Sequence, residues 1–346
     1  MAYEASTNAN IQATTRELFI RTVKSQVFMK MPLMARLLLA KRMNWEGGRY
    51  ITQPVDKAEM DDLSQAYYAG ERLRTGRKTL LETPYFHWKY NQTPVAYNVE
   101  EELQNGGGSD VAPVKLIKFL VRKAHRAARL FLYKKMYGIP AAGTTQVVGT
   151  DHSRAFQSVC QALEHDTTYG HLTRGTTVTN SWWQGASIAG TYADQSTQYG
   201  PGIVTFRKSK SAIQEFVEKP GDMLAVCGPD VFLDLQTQVE SRHIYNRDGS
   251  LLAKYGFNTM MIDGVEVVED PFLKARFMAN GAKYFFMFNV QDWELRMHPR
   301  RSFKFTGFKW QGDVADGFDE WLARILVAGN LVCWKPNGSI WLKACY

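Results

Sequence analysis

Few residues in this chain have the type and spacing to do chemistry. His165 and His171 bracket Asp166, with Cys160 nearby, and form the best metal-like cluster in the sequence. Their spacing matches no usual zinc pattern, in which cysteines and histidines come as closely spaced pairs. Asp151, His152 and Ser153 are the residue types of a nucleophilic relay. Such a relay needs side chains that converge in space, and adjacency alone does not supply that. The glycine-rich phosphate loops, HExxH and GxSxG are all absent from the sequence. An enzymatic reading would rest on an unrecognised site near His165 and His171; no catalytic residue, cofactor or metal ligand is assigned.

Charge offers more pattern. Acids cluster at Glu100-Glu101-Glu102 and at Asp61-Asp62, and bases at Arg72, Arg74, Arg77 and Lys78. Clusters of this kind are solvated or meet opposite charge on neighbouring chains. Acids in one part of a segment and bases in another let it register against its own copies. Lys115, Lys118, Arg122, Arg126 and Arg129 fall roughly on one face of a predicted helix, either solvated or turned to a polyanion or an acidic neighbour.

That helix, Ser109 to Gly138, is the best-signalled element of the chain. Ser109 or Asp110 can cap it, Pro113 suits its first turn, and Gly138 followed by Pro140 stops it. Ile117, Leu120, Ala124, Ala127 and Phe131 predict its buried face. Before it, a basic helix is predicted from Thr14 or Thr15 to about Met43, restarting at Pro32. Residues 46–104 read as an extended two-stranded flap with a charged tip and no core of its own. A hairpin of that length is marginal in water and must lie on something else. Gly106-Gly107-Gly108 is the hinge into the central helix. After it come a short helix ending near Glu164, a strand at Ile203–Phe206, a helix over 212–218, a strand at 223–228 and a helix over 230–239. This alternation predicts a mixed α/β region. Strands follow at 264–268, 283–290, 293–297 and 302–310. The predicted close is a short hairpin turning at Pro336-Asn337-Gly338.

At 346 residues, with 45% hydrophobic and 22% charged residues, the chain supports two or three regions around a substantial core and is not a solvating, disordered one. The formal net charge of +8 favours nucleic acid or another acidic surface. Cys160, Cys227, Cys333 and Cys345 form no CxxC pair, which predicts buried thiols. No secretory leader or membrane-length apolar run is read, so production in a reducing compartment is the default expectation. Aromatic runs in polar surroundings, Tyr85-Phe86-His87-Trp88 and Trp182-Trp183, suit a chain that spends surface on neighbours.

Phe156 with YGHLTR (Tyr169 to Arg174) and Trp183 forms one stretch that resembles a known family. GVEVVEDPFL (Gly264 to Leu273), YFFMFNVQDWELRMHP (Tyr284 to Pro299) and VAGNLVCWKPNGSIWL (Val327 to Leu342) carry the rest of the resemblance. In this order of parts the chain resembles the major capsid proteins of tailed bacteriophages, whose fold is named for phage Hong Kong 97.

The resemblance implies an α+β Hong Kong 97-like capsid fold. Its parts would be an N-terminal arm (1–45), an extended β-hairpin loop or E-loop (46–104) and a peripheral domain with the long spine helix (105–150). A mixed α/β axial domain (151–270) and returning strands with a closing axial segment (271–346) would complete it. It implies a non-enzymatic virion protein, assembled in the host bacterial cytoplasm. Copies would join through hexamers and pentamers into an icosahedral or prolate shell enclosing double-stranded DNA. Implied partners are other copies, separate scaffold, portal and decoration proteins, and packaged DNA touched nonspecifically, with no membrane. The assembly- or polyanion-facing residues would be Arg72, Arg74, Arg77, Lys78, Glu100, Glu101, Glu102, Lys115, Lys118, Arg122, Arg126 and Arg129. The classes left open are another structural phage head or tail protein, a basic nucleic-acid-binding protein and an enzyme near His165 and His171.

Overall fold

The structure is a computed structural model that describes residues 31–45, 47–58, 60, 63–73, 75–104, 116–139, 154–165, 167–175, 180, 182–186, 188, 202–240, 258–274, 284–311 and 320–342. Helix α1, Pro32–Leu39, starts on its proline, where a missing amide costs nothing. The earlier part of the predicted amino-terminal helix lies outside the described residues. Strand β1 (Met43–Trp45) leads into the flap, built from β2 (Ile51–Thr52), β3 (Val55–Asp56), β4 (Leu81–Glu82) and β5 (Tyr85–Phe86). β2 pairs antiparallel with β5 and β3 with β4, with Ile51 opposite Phe86 and Val55 opposite Glu82. β6 (Lys89–Asn98) runs into the short helix α2 (Val99–Gln104), and α3 (Leu116–Tyr137) is the long central helix. The glycine hinge and the caps at Ser109 or Asp110 lie outside the described residues.

Helix α4 (Val159–Leu163) is capped by Ser158, whose hydroxyl accepts the Gln161 N–H. A small hairpin, β7 (Thr168–Tyr169) and β8 (Leu172–Thr173), precedes α5 (Ile203–Gln214), β9 (Met223–Cys227) and α6 (Pro229–Glu240). Then come β10 (Thr259–Ile262), β11 (Val265–Glu269), β12 (Phe285–Asn289) and β13 (Trp293–Met297). The last are β14 (Lys304–Phe305), β15 (Lys309–Trp310), β16 (Glu320–Cys333) and β17 (Ile340–Leu342).

Two compact units share these elements. The first contains Tyr90–Lys134 and Met297–Gly329, and the second Lys30–Lys89, Lys135–Arg296 and Asn330–Tyr346. In the first, α3 lies on one face of a sheet in which β6, β14 and β15 all pair with β16. Ala124 and Ala128 bring the helix close to Val95, Ala323 and Ile325, with Leu120, Phe303, Phe305 and Phe308 around them. The buried stripe therefore advances by fours, while Ala127 and Phe131 are exposed. The predicted face followed a spacing near 3.5 residues, from which a straight helix drifts.

In the second unit a five-stranded sheet runs β10-β11-β9-β12-β17. β9 is parallel to β11 and antiparallel to β12, and every one of its residues is buried. Phe206 and Ile213 of α5 and Val231 and Leu235 of α6 pack in one core with Ala225, Val265 and Met287. Three expectations fail here, the first being the helix over 212–218, since α5 ends at Gln214. The β-branched run at Ile203–Thr205 is the start of α5, because Ile203, Phe206, Ser209 and Ile213 share one buried helical face. The carboxy-terminal segment is no hairpin. Pro336–Gly338 form a single 3₁₀ turn, and β17 pairs with β12 through Phe285–Leu342 and Met287–Ile340.

Candidate assembly surfaces

The flap has a built root and an unbuilt tip, both within the second unit. At the root Ile51 and Phe86 are buried, and the Phe86 ring packs on Tyr169 (5.0 Å) and edge-on to Trp334 (5.6 Å). The Tyr85 N–H donates to the Gly170 carbonyl at 3.2 Å, and the Tyr85 ring stacks on His171 at 4.0 Å. Tyr50 and His87 close this group edge-on, with ring centroids 5.1 Å apart. Gly170 and His171 both have positive φ (58° and 61°), as a two-residue hairpin turn of the I′ kind requires. A Cβ on Gly170 would lie 2.8 Å from Phe86 Cζ, so the flap rests directly on glycine backbone.

The same hairpin ends at Arg174, which is buried. Its guanidinium donates to the carbonyls of Gln161 and Ala162, at the carboxy-terminal end of α4, and to the Thr167 carbonyl and hydroxyl. Its charge lies 5.2 Å from the Tyr169 ring. Tyr169 Oη accepts the Cys333 N–H at 2.7 Å, and its carbonyl accepts the Trp183 indole N–H at 3.0 Å. Asn330 donates to the His87 carbonyl (3.1 Å) and to Gln157 Oε1 (2.9 Å), and accepts the Gln157 N–H. YGHLTR and Trp183, the stretch that carried the resemblance, are the block on which the flap root sits.

Beyond Leu81 this support stops. Between the Lys57–Glu82 ion pair (2.9 Å) and the tip the described residues form no strand. Met60, Tyr67, Tyr68 and Leu73 are exposed, Tyr68 by 81%. Arg72, Arg77 and Lys78 are exposed among them, and Arg74 lies outside the described residues. The exposed aromatics of this tip were not singled out from the sequence, although Tyr67-Tyr68 amid polar residues was the available signal.

In the first unit Lys118, Arg122 and Arg129 are exposed on α3, and Arg126 is half-buried. The Arg129 guanidinium lies over the Phe303 ring at 5.9 Å. Lys115 lies outside the described residues. On α2, Glu100 is exposed and Glu101 half-buried, and nothing is described of the Glu102 side chain. Burial pushes the Glu101 carboxyl up, the Asn98 backbone pulls it down and nearby Glu320 pushes it up. Sequence reasoning missed the opposite face of the same sheet. Lys304 stands opposite Leu326 and Lys309 opposite Leu322, on the side that alternation gives to Arg324. Lys304, Lys309, Arg324 and the nearby Arg301 are exposed.

Among the described residues no catalytic arrangement forms around the histidines; Asp151, His152, Ser153 and Asp166 lie outside them. His165 is buried at the end of α4, and the His171 ring is used in the stack on Tyr85. Among the described residues no group of three His, Cys, Asp or Glu could hold a metal ion. Cys160, Cys227 and Cys333 are buried and none is in a disulfide; Cys345 lies outside the described residues. Burial, with Asp292 nearby, pushes the Cys333 thiol well up. Asp292 is itself raised to about 6, chiefly by burial, against the opposing pull of Lys335, Asn289 and Arg42. A shallow hollow between α5, α6 and β12 is lined by Phe206, Val231, Leu235 and Phe285, with Thr205 the one polar side chain. No helix among the described residues is long and apolar enough to cross a membrane.

No family model and no curated protein matches the chain. Solved structures do. The cyanophage A-1(L) capsid asymmetric unit matches with a TM-score of 0.62 and 11% identity, over 94% of this chain and 95% of that one. The capsid of a native GTA particle matches with a TM-score of 0.53 and 11% identity, over 95% and 96%. The holo-SrpI encapsulin complex from Synechococcus elongatus PCC 7942 matches with a TM-score of 0.52 and 10% identity, over 93% and 92%. At such identities the likeness is one of fold, and it runs nearly end to end. The chain has the Hong Kong 97-type capsid fold that its sequence resembles.

Proposed function

We propose that this chain is a phage major capsid protein. Its copies would join through hexamers and pentamers into a closed shell around double-stranded DNA, in a virion assembled in the bacterial cytoplasm. The observation that carries this reading is the fold match over 94% of the chain to a phage capsid subunit. The flap supports it: a root fixed by a buried aromatic block ends in a tip that exposes Met60, Tyr67, Tyr68 and Leu73. Such a tip is stabilised only by lying on another surface, and a closed assembly multiplies one modest contact many times.

In this reading 1–45 is the arm, 46–104 the extended loop, 105–150 the peripheral domain with its spine helix, 151–270 the axial domain and 271–346 the returning strands. Arg72, Arg74, Arg77 and Lys78 would meet acids such as Glu100, Glu101 and Glu102 of a neighbouring copy. Lys115, Lys118, Arg122, Arg126 and Arg129 would face packaged DNA or another acidic surface. The work is structural and uses no catalytic group; scaffold, portal and decoration proteins would be separate chains. Negative-stain microscopy and mass measurement of the full chain expressed alone test the reading. Closed shells, rings of five or six, or curved sheets are expected. A monomer that instead binds duplex DNA with a steep salt dependence would overturn it.

A further inference from the structure

The first unit carries cations on two opposite sides. Helix α3 covers the sheet face that holds Val95, Ala323 and Ile325, and its own outer side carries Lys118, Arg122 and Arg129. The uncovered sheet face carries a second set, laid out by the ladder register. Lys304 stands opposite Leu326, Lys309 opposite Leu322, and the Thr306 hydroxyl accepts the Arg324 N–H at 2.9 Å. Lys304, Lys309 and Arg324 are exposed, and among the described residues none of them forms an ion pair. Tyr90, Gln92, Pro94 and Ala96 of β6 are exposed, and alternation puts them on this same face. The Arg301 guanidinium lies 5.7 Å from the centre of the Tyr90 ring. Against these four cations, alternation adds one acid, half-buried Glu320 at the first position of β16.

We propose that this sheet face, and not α3, is where the subunit lies against packaged duplex DNA; the proposal rests on the capsid reading for the source of that duplex. The two sides differ in what stands between their cations. On α3 it is apolar surface. Phe131 is 47% exposed, the Arg129 guanidinium lies over the Phe303 ring at 5.9 Å, and the Lys123 ammonium lies over the Phe119 ring at 5.4 Å. Phosphates would leave that apolar surface in water, whereas an acidic protein surface would cover it. On the sheet face Tyr90 and Gln92 supply a hydroxyl and an amide, which with Lys and Arg are the side chains that donate to phosphate oxygens. Leu322 and Leu326 are half-buried and stand opposite lysines, whose aliphatic stems can lie over them while the ammonium groups stay in water. The cations are also spread over β14, β15 and β16, so they form an array and not a single row. Such an array attracts a polyanion without reading its sequence.

Duplex binding by the full-length chain over a series of NaCl concentrations tests this, with shell yield measured beside it. One variant neutralises the sheet face (Lys304→Gln, Lys309→Gln, Arg324→Gln), and a charge-matched one neutralises α3 (Lys118→Gln, Arg122→Gln, Arg129→Gln). The sheet-face variant should bind a mixed-sequence duplex at least about tenfold more weakly at about 0.1 M salt. Its plot of log K against log salt should flatten by about 2.7, roughly 0.9 for each cation removed. The α3 variant should stay within about threefold of the unaltered chain. Equal losses from the two variants overturn the proposal, because net charge alone would then be what counts. A sheet-face loss at unchanged slope overturns it too, since the cations would not be meeting phosphates. Unchanged duplex binding with a lower shell yield overturns it in favour of a protein partner. Footprinting gives a second reading without substitution: a bound duplex should shield Lys304 and Lys309 from acetylation and leave Lys118 reactive, and the reverse pattern overturns the proposal. An unaltered chain that forms neither shells nor capsomers overturns the capsid reading, and with it the packaged genome as the source. Shells without face-dependent duplex binding overturn the sheet-face assignment alone.

Discussion

The two ends of the flap are made of similar residues and behave oppositely. The root and the tip each carry two tyrosines, Tyr50 and Tyr85 at one end and Tyr67 and Tyr68 at the other. The root tyrosines pack tilted against each other, Tyr50 meets His87 edge-on and Tyr85 stacks on His171, while Phe86 beside them is buried. The tip tyrosines are exposed by 61% and 81%. Composition is therefore not what separates them. The root is seated on a glycine-tight hairpin braced by Arg174, whereas the described residues of the tip form no strand and are mostly exposed. One chain thus spends the same chemistry once on folding and once on an exposed surface. Substitutions at the root should register in the stability of the isolated subunit, and changes at the tip in assembly alone.

Arg174→Ala should have the largest effect. It would remove the donors that satisfy the carbonyls of Gln161, Ala162 and Thr167 in a buried setting. Orphaned acceptors together with the cavity should cost about 4 kcal/mol in denaturant unfolding of the unassembled subunit. Arg174→Lys should recover only a small part, since one ammonium nitrogen cannot span the acceptors that the guanidinium reaches from three nitrogens. Gly170→Ala should cost less, about 2 kcal/mol, from the left-handed backbone and the contact with Phe86. A loss below about 0.5 kcal/mol for either would break the comparison, because the root would then not depend on its block.

Much of this was legible in the sequence, and the remainder fails for physical reasons. The central helix, the flap and the β9–α6 alternation follow local patterns, which periodicity and turn residues report. The root does not: Asn330 and His87 are 243 positions apart, and Cys333 and Tyr169 are 164 apart. YGHLTR was visible only as a resemblance, because the role of Arg174 is set by carbonyls that any sequence would supply. Ile203–Thr205 was misjudged since β-branched residues favour strands locally, whereas packing on the sheet decided for a helix. The cationic sheet face was missed because its bases are spread over 301–324 and only the β14, β15 and β16 ladder brings Lys304, Lys309 and Arg324 to one side.

Asp292 probes the body under the root at an intermediate magnitude. Trp334, which packs on Phe86, donates its backbone N–H to the Asp292 carbonyl. In the folded subunit the Asp292 carboxyl holds its proton to about pH 6, whereas in an unfolded chain it loses it near 4. Between those values the folded state binds more protons. This group therefore contributes stability below about pH 4, and that contribution is lost as the pH rises to about 6. Asp292→Asn should raise unfolding stability by about 2 kcal/mol at pH 8 and leave it unchanged at pH 4. An equal effect at both values would show that the substitution acts through packing against Gly338 and not through charge.

The smallest effect on folding should come from the largest change at the tip. Replacing residues 57–80 with a two-residue Asn-Gly turn keeps the β3–β4 pairing; it loses the partly exposed Lys57–Glu82 pair, worth under about 1 kcal/mol, and exchanges the Lys57 N–H to Leu80 carbonyl bond for the turn's own. The other described residues of the deleted segment are mostly exposed. Subunit stability should therefore stay within about 0.5 kcal/mol of the full-length chain. Under the proposed capsid reading shell formation should nonetheless disappear, because the exposed tip would lie on another copy. A shortened chain that unfolds would show that the tip is held by its own subunit. Normal shells in normal yield would show that the flap is not where this chain meets its neighbours.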